Sequence, residues 1–259
     1  MRENAITLRF AGPLMGERPS IAVVTGGASG IGLATVERFR DDDTYDLVAS
    51  LDVADEVTEI FDDSSVRGHR CDVTDHDRVG AVIDALEEEG RIDAVVNCAG
   101  FSTYAWIGDL DPGEWDRILD VNLTSQYNLA HVAAPRMYER EHGYLVNISS
   151  GAGQRGSASG GVHYSAAKAG IFGLTKGLAK QLSPHVRVNC VVPGLIETPL
   201  ATDSDLWTDE ELAAEASNIP LERLGKPDDI ARVIQFLCGD GAAYMTGELV
   251  TVDGGSALR

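Results

Sequence analysis

Short apolar runs rich in Val, Ile and Ala recur along the chain, and most lead into a stretch with helical spacing. IAVVT (21–25) precedes a helix expected from Gly30 to Arg40, DLVAS (46–50) follows, and VRGHRC (66–71) precedes a helix from Asp75 to Glu89. IDAVVN (92–97) leads into one long helix from Pro112 to Glu141, and GYLVNIS (143–149) into another from His163 to Leu182. VRVNCVV (186–192) and ELVTV (248–252) complete the strands, with helical segments near 208–217 and 227–238 between them. Strands that are apolar along their whole length are those covered by helices on both faces, and crossover helices make neighbouring strands parallel. The pattern predicts an α/β, doubly wound architecture: one domain on a seven-stranded parallel sheet. Ligands of such sheets bind beyond the carboxyl ends of the strands, where the winding reverses.

A chain of 259 residues can bury one large core. Residues 1–18 are expected to form a loose arm ahead of a Rossmann-type domain over 19–259, with Met15 as a candidate start. Arg2, Glu3, Arg9, Glu17 and Arg18 interrupt what would be the apolar stretch of a signal peptide, and no run of about eighteen apolar residues occurs, so a cytoplasmic location is expected. The formal net charge of −20 argues against nucleic acid or an anionic membrane as a partner. Arg outnumbers Lys by 17 to 4 on this acidic background, and adaptation to a salty cytoplasm, where screening relieves self-repulsion, is one reading of it. Cys71, Cys98, Cys190 and Cys238 lack a Cys-x-x-Cys spacing and read as buried reduced thiols. The six histidines, His69 and His76 among them, lack ligand spacing, so no metal is expected.

The strand ends carry the candidate chemistry. TGGASGIG (25–32) follows the first strand: Gly26, Gly30 and Gly32 suit a tight turn, a close backbone approach to a pyrophosphate and close helix packing. Alone it is a weak signal, because its first two glycines are separated by three residues. Asp52 ends the second strand, where a carboxylate accepts hydrogen bonds from an adenosine ribose and repels a 2′-phosphate; no basic residue stands at Ser29 or Val53. NAD is therefore expected over NADP. Asp72 and Val73 follow the third strand and NCAG (Asn97, Cys98, Ala99, Gly100) the fourth.

Taken in order, TGGASGIG, NCAG, Asn122 in DVNLTSQ, NISS ending at Ser150, YSAAK (164–168) and PGLIET (193–198) resemble the short-chain dehydrogenase/reductase family over residues 20–255. The departures are Cys98 in place of the usual asparagine and a spacing of fourteen from Ser150 to Tyr164. The resemblance implies that Asn122, Ser150, Tyr164 and Lys168 are catalytic. It also implies that Gly26, Ser29, Gly30, Ile31, Gly32, Asp52, Asp72, Val73, Asn97, Ala99, Gly100, Tyr164, Lys168, Pro193, Gly194, Ile196 and Thr198 hold NAD. In such a mechanism Tyr164 takes the hydroxyl proton of a secondary alcohol as its carbon passes hydride to NAD. Lys168 holds the ribose, Ser150 steadies the reacting oxygen, and Asn122 supports a proton path. A homo-oligomer, dimer or tetramer, is implied as well.

Tyr164 and Lys168, four residues apart, fall on one helix face. A positive charge about 5 Å from the phenol favours the phenolate by roughly 3 kcal/mol at an effective dielectric near 20, bringing its pKa to about 8. Pocket walls are expected from 101–108, 151–161 and a lid near 195–220, with Tyr104, Trp106 and Trp207 offering apolar surface and Gln154 and Arg155 meeting a hydroxyl or carboxylate of a small-molecule substrate. A cyclic alcohol, a sugar and a hydroxy acid stay open as substrates. So do a carbonyl reductase working in the opposite direction and a non-catalytic NAD-binding regulatory protein.

Overall fold

The computed structural model describes residues 18–202 and 207–258; the expected arm, the candidate start and part of the expected lid lie outside them. Its strands are β1 (Ser20–Thr25), β2 (Leu47–Asp52), β3 (Val66–Arg70), β4 (Arg91–Asn97), β5 (Gly143–Ile148), β6 (Val186–Pro193) and β7 (Leu249–Val252). They form one seven-stranded sheet in the order β3-β2-β1-β4-β5-β6-β7, with every neighbouring pair parallel. The winding reverses between β1 and β4, so the ends of these two strands, Thr25 and Asn97, open the crevice in which a doubly wound sheet binds its ligand.

Helices cover both faces. Val36 and Phe39 of α1 (Gly30–Asp41) and Ile230, Ile234 and Leu237 of α9 (Pro227–Leu237) pack on Ala22, Val24 and Val48. On the other face α2 (His76–Glu89), α4 (Ser125–Glu139) and α6 (Gly161–Leu182) pack through Ile83, Leu129, Met137 and Ala179 on Ile21, Val23 and Leu51. Alternate residues of β1 thus serve opposite layers, which is why this central strand carries no polar side, whereas β3, at the edge of the sheet, reads VRGHR with Arg67 and Arg70 exposed.

The expected helix over 112–141 is instead α3 (Pro112–Leu119), a π-helical turn (Asp120–Thr124) and α4. A π turn inserts a residue into the helical ladder and frequently marks a functional site. Here Asn122 Nδ2 donates to Ile118 O at 3.0 Å and Phe101 O at 2.8 Å, so the side chain satisfies a carbonyl within the altered turn. Two short helices were not expected: α5 (Gly151–Arg155), directly after the NISS turn, and α7 (Pro199–Thr202). The chain continues through α8 (Asp209–Asn218), which begins with a capping box between Thr208 and Glu211.

Candidate active site

The ends of β1, β4, β5 and β6 meet at a cleft of about 770 Å³. Ile31, Cys98, Gly100, Ser150, Tyr164, Lys168, Pro193, Gly194, Ile196 and Thr198 all line it. NISS runs off the end of β5 and must turn sharply, because Ser150 adopts an extended conformation as N-cap of α5 and its Oγ accepts from Ala152 N at 3.1 Å. Ser149 also borders the cleft, but its buried Oγ is engaged, donating to Lys168 O at 2.7 Å. The two serines of the motif are therefore separated by their hydrogen bonds, Ser149 donating to the backbone of α6 and Ser150 accepting at the start of α5.

Tyr164 and Lys168 occupy the first turns of α6. An added Cβ on Gly160 would lie 2.9 Å from the Tyr164 ring, so that glycine gives the ring its place. Ser165, between the pair, accepts from Ser157 N at 3.0 Å and donates to Gly161 O at 2.9 Å, tying the preceding loop to the helix. Lys168 is 4% exposed; its Nζ donates to Ile148 O at 3.1 Å and stands 5.6 Å from the centre of the Tyr164 ring.

The electrostatics differ from the expectation that the lysine alone acidifies the phenol. Burial raises the Tyr164 pKa above its ordinary value, with only the Ser150 hydroxyl pulling it down. Burial also lowers Lys168 to about 8, the neighbouring Cys190 and Cys98 opposing weakly. Removing both groups from water penalises both charges, and without further positive potential desolvation outweighs the attraction between them.

The residues present fit a dinucleotide. Gly26 has a φ of 66° and an added Cβ there would lie 2.9 Å from Ala99 Cα; one on Gly32 would meet Gly26 O at 2.1 Å. Both glycines are thus demanded by backbone packing. Ser29, the N-cap of α1, makes no side-chain cap bond. Asp52 Oδ2 accepts from Ala28 N at 3.0 Å and Oδ1 from Ala54 N at 3.1 Å, which brings its carboxylate against the glycine turn. An added Cβ on Gly100 would lie 2.7 Å from Asn122 Oδ1 and 3.3 Å from Lys168 Nζ. Asn122 Oδ1 is buried and takes no hydrogen bond.

Several of the expected site residues have side chains engaged within the fold. Asn97 Nδ2 donates to Asn147 Oδ1 at 2.9 Å inside the sheet, leaving only its backbone to the crevice. Asp72 closes its own turn through Thr74 N and Oγ1, and Val73 is buried with its carbonyl bonded to Asn128 Nδ2. Gln154 does not line the cleft: its Nε2 donates to Thr251 Oγ1 at 3.2 Å, and the next residue, Arg155, lines the cleft instead. Consecutive helical side chains point about 100° apart, so only one of the two can face inward. Tyr104 and Trp207 line the cleft as expected, whereas Trp106 lies over Gly108, 62% exposed. Cys98 is partly exposed rather than buried, unlike the other three cysteines. Ser102, Glu215 and Ile219 line the cleft from the expected wall and lid segments, and Ser256 lines it from outside them. They are polar or apolar loop and helix residues with no local motif, and only the fold brings them within reach.

The family model described as enoyl-(acyl carrier protein) reductase matches residues 26–257. A 3-oxoacyl-(acyl-carrier-protein) reductase of Thermotoga maritima is 34% identical over 244 residues, spanning 92% of this chain and 98% of that protein. A 3α-hydroxysteroid dehydrogenase of Mediterraneibacter gnavus is 36% identical over 242 residues, spanning 90% and 95% respectively. Among solved structures, the ligand-free aldohexose dehydrogenase of Thermoplasma acidophilum has a TM-score of 0.85 at 34% identity, covering 93% of this chain and 95% of that one. Similarity over nine-tenths of the chain, together with the sheet order and the cleft, places the protein among oxidoreductases that bind a nicotinamide cofactor: it belongs to the short-chain dehydrogenase/reductase family.

Proposed function

We propose that the protein is an NAD-dependent dehydrogenase of a secondary alcohol, with Tyr164 as general base. The observation that carries this reading is the convergence of Ser150, Tyr164 and Lys168 on one cleft while Ser149 is spent on the backbone. A bound nicotinamide would supply the hydride acceptor. Ser150 Oγ orients the reacting oxygen by a hydrogen bond, and Tyr164 Oη receives its proton as the carbon–oxygen bond becomes a carbonyl. Lys168 holds the ribose hydroxyls and supplies the counter-charge to the phenolate that burial has taken from water. Asn122, bonded to Phe101 O and Ile118 O, supports the route by which the proton returns to solvent.

NAD over NADP rests on Asp52, whose carboxylate at the glycine turn would oppose a 2′-phosphate. Arg70, opposite Asp52 in the β2–β3 register, is engaged by Val53 O at 3.3 Å and Asp55 at 3.0 Å. The relative named as a 3-oxoacyl-(acyl-carrier-protein) reductase favours a second reading, in which the same residues run in reverse and Tyr164 donates its proton to a carbonyl. The reading extends to a cytoplasmic homo-oligomer joined along α4 and α6, where Gly173 and Gly177 leave the surface open. Among the described residues no helix is long and apolar enough to cross a membrane.

The test is Tyr164→Phe. Turnover, followed by reduced-cofactor absorbance over a screen of alcohols, sugars and hydroxy acids, should fall by about a hundredfold or more while NAD binding stays within twofold. A variant with ordinary rates would remove Tyr164 as the base.

A further inference from the structure

We infer that Arg155 is the residue that selects the substrate, by binding a carboxylate, so that the alcohol oxidised is a hydroxy acid. This rests on the dehydrogenase reading and names its substrate class. The cleft is lined by two cationic side chains, Lys168 and Arg155. Lys168 is buried against Ile148 O beside the tyrosine. Arg155 makes no hydrogen bond or ion pair among the described residues, although every other arginine in an ion pair finds its carboxylate within 3.0 Å. Asp253, whose charge reaches Arg155, spends its oxygens on Gly255 N, Ser256 Oγ and Ala257 N. Arg155 is exposed at the cleft, and in a chain of net charge −20 its guanidinium has no carboxylate in direct contact among the described residues, Asp253 acting on it only through space.

Its position suits a ligand. Arg155 closes the single turn of α5 that begins at Ser150, and an added Cβ on Gly151 would lie 3.0 Å from Arg155 Nη2. The guanidinium therefore folds back to within about 8 Å of the Ser150 Cα, a span that a hydroxy acid of a few carbons bridges with its hydroxyl at Ser150 and its carboxylate at the planar donor fork. The acidic residues lining the same cleft, Glu211 and Glu215, come from α8, and Glu211 is engaged by Thr208 N and Oγ1. Gln154, the neighbour that offers neutral hydrogen bonds, is turned to Thr251, so the anion-binding residue and not the hydroxyl-binding one faces the cleft.

The experiment is calorimetric titration of the NAD-loaded protein with 2-, 3- and 4-hydroxy acids of three to six carbons and with the matching amides, for the unaltered protein, Arg155→Met and Arg155→Lys. The unaltered protein should bind at least one acid about tenfold or more tightly than its amide. Arg155→Met should lose that difference while binding the amide within twofold, and Arg155→Lys should restore it in part. Equal binding of acid and amide, no binding of any acid at millimolar concentration, or an unchanged preference in Arg155→Met would each overturn the assignment. Binding does not require turnover, so the Tyr164→Phe variant should keep the acid preference; ordinary rates in that variant would instead count against the assigned base alone.

Discussion

Replacing Lys168 with Met tests what burial does at the centre of the site. Lys168 is 4% exposed and its pKa falls to about 8 from 10.5 because its charged form is desolvated. At about 1.4 kcal/mol per pKa unit, holding the ammonium in the folded chain costs about 3 kcal/mol more than in the unfolded one. Methionine fills a similar volume without a charge, and loses the bond from Nζ to Ile148 O, worth about 1 kcal/mol. The variant should therefore be about 2 kcal/mol more stable at pH 7 and inactive. The sign must change with pH in a defined way. Below about pH 8 the folded lysine is charged and the cost is fully present; from there to about 10.5 the unfolded chain binds more protons, so the unaltered protein gains stability relative to the variant. The advantage should vanish near pH 10. Cys71, Cys98, Cys190, Cys238 and Tyr164, all raised by burial, titrate in the opposite sense; Cys71 and Cys238 cancel in the difference between the two proteins, whereas Cys98 and Cys190, on which the Lys168 charge acts, cancel only in part. Urea unfolding followed by tryptophan fluorescence at several pH values measures it. A variant less stable at pH 7, or a difference that ignores pH, would refute the desolvation argument.

The two serines of the NISS turn should separate cleanly. Ser149→Ala should cost about 1 kcal/mol in unfolding free energy, through the lost bond to Lys168 O, with kcat near the original value, whereas Ser150→Ala should lower kcat about a hundredfold with a smaller change in stability. Steady-state rates and urea midpoints on the same preparations would show a reversed pattern if the assignment were wrong. Asp52→Ala should lower the ratio of kcat/KM with NAD to that with NADP by about tenfold or more, since a like charge facing the 2′-phosphate is removed; equal use of both cofactors by the unaltered protein would contradict the role given to Asp52.

The strands were legible because their signal is local. A run such as IAVV within IAVVT stays apolar at successive positions only if both faces are buried, and the observed strand β1, Ser20–Thr25, differs from the expected one by one residue. The break in the helix over 112–141 was not legible: DVNLT contains no glycine or proline, and the π turn is held by Asn122 reaching Ile118 O and Phe101 O. The glycine turn, Ser150, Tyr164 and Lys168 could be named from motif and spacing. Whether each faces the cleft could not, as Asn97, Gln154 and Trp106 demonstrate.

Sequence alone thus determined the order of the elements, the parallel sheet and the identity of the chemical groups, since periodicity and short motifs are carried by residues adjacent in the chain. Tertiary structure decided direction and environment: that Arg155 and not Gln154 enters the cleft, that Ser149 is spent on Lys168 O, and that the tyrosine is made less acidic by its surroundings and not more. The physical reason is common to all three. Which way a side chain points and how much water it loses depend on atoms brought from distant parts of the chain, and desolvation, which set the sign of both pKa shifts at the site, exists only once those atoms have closed around it.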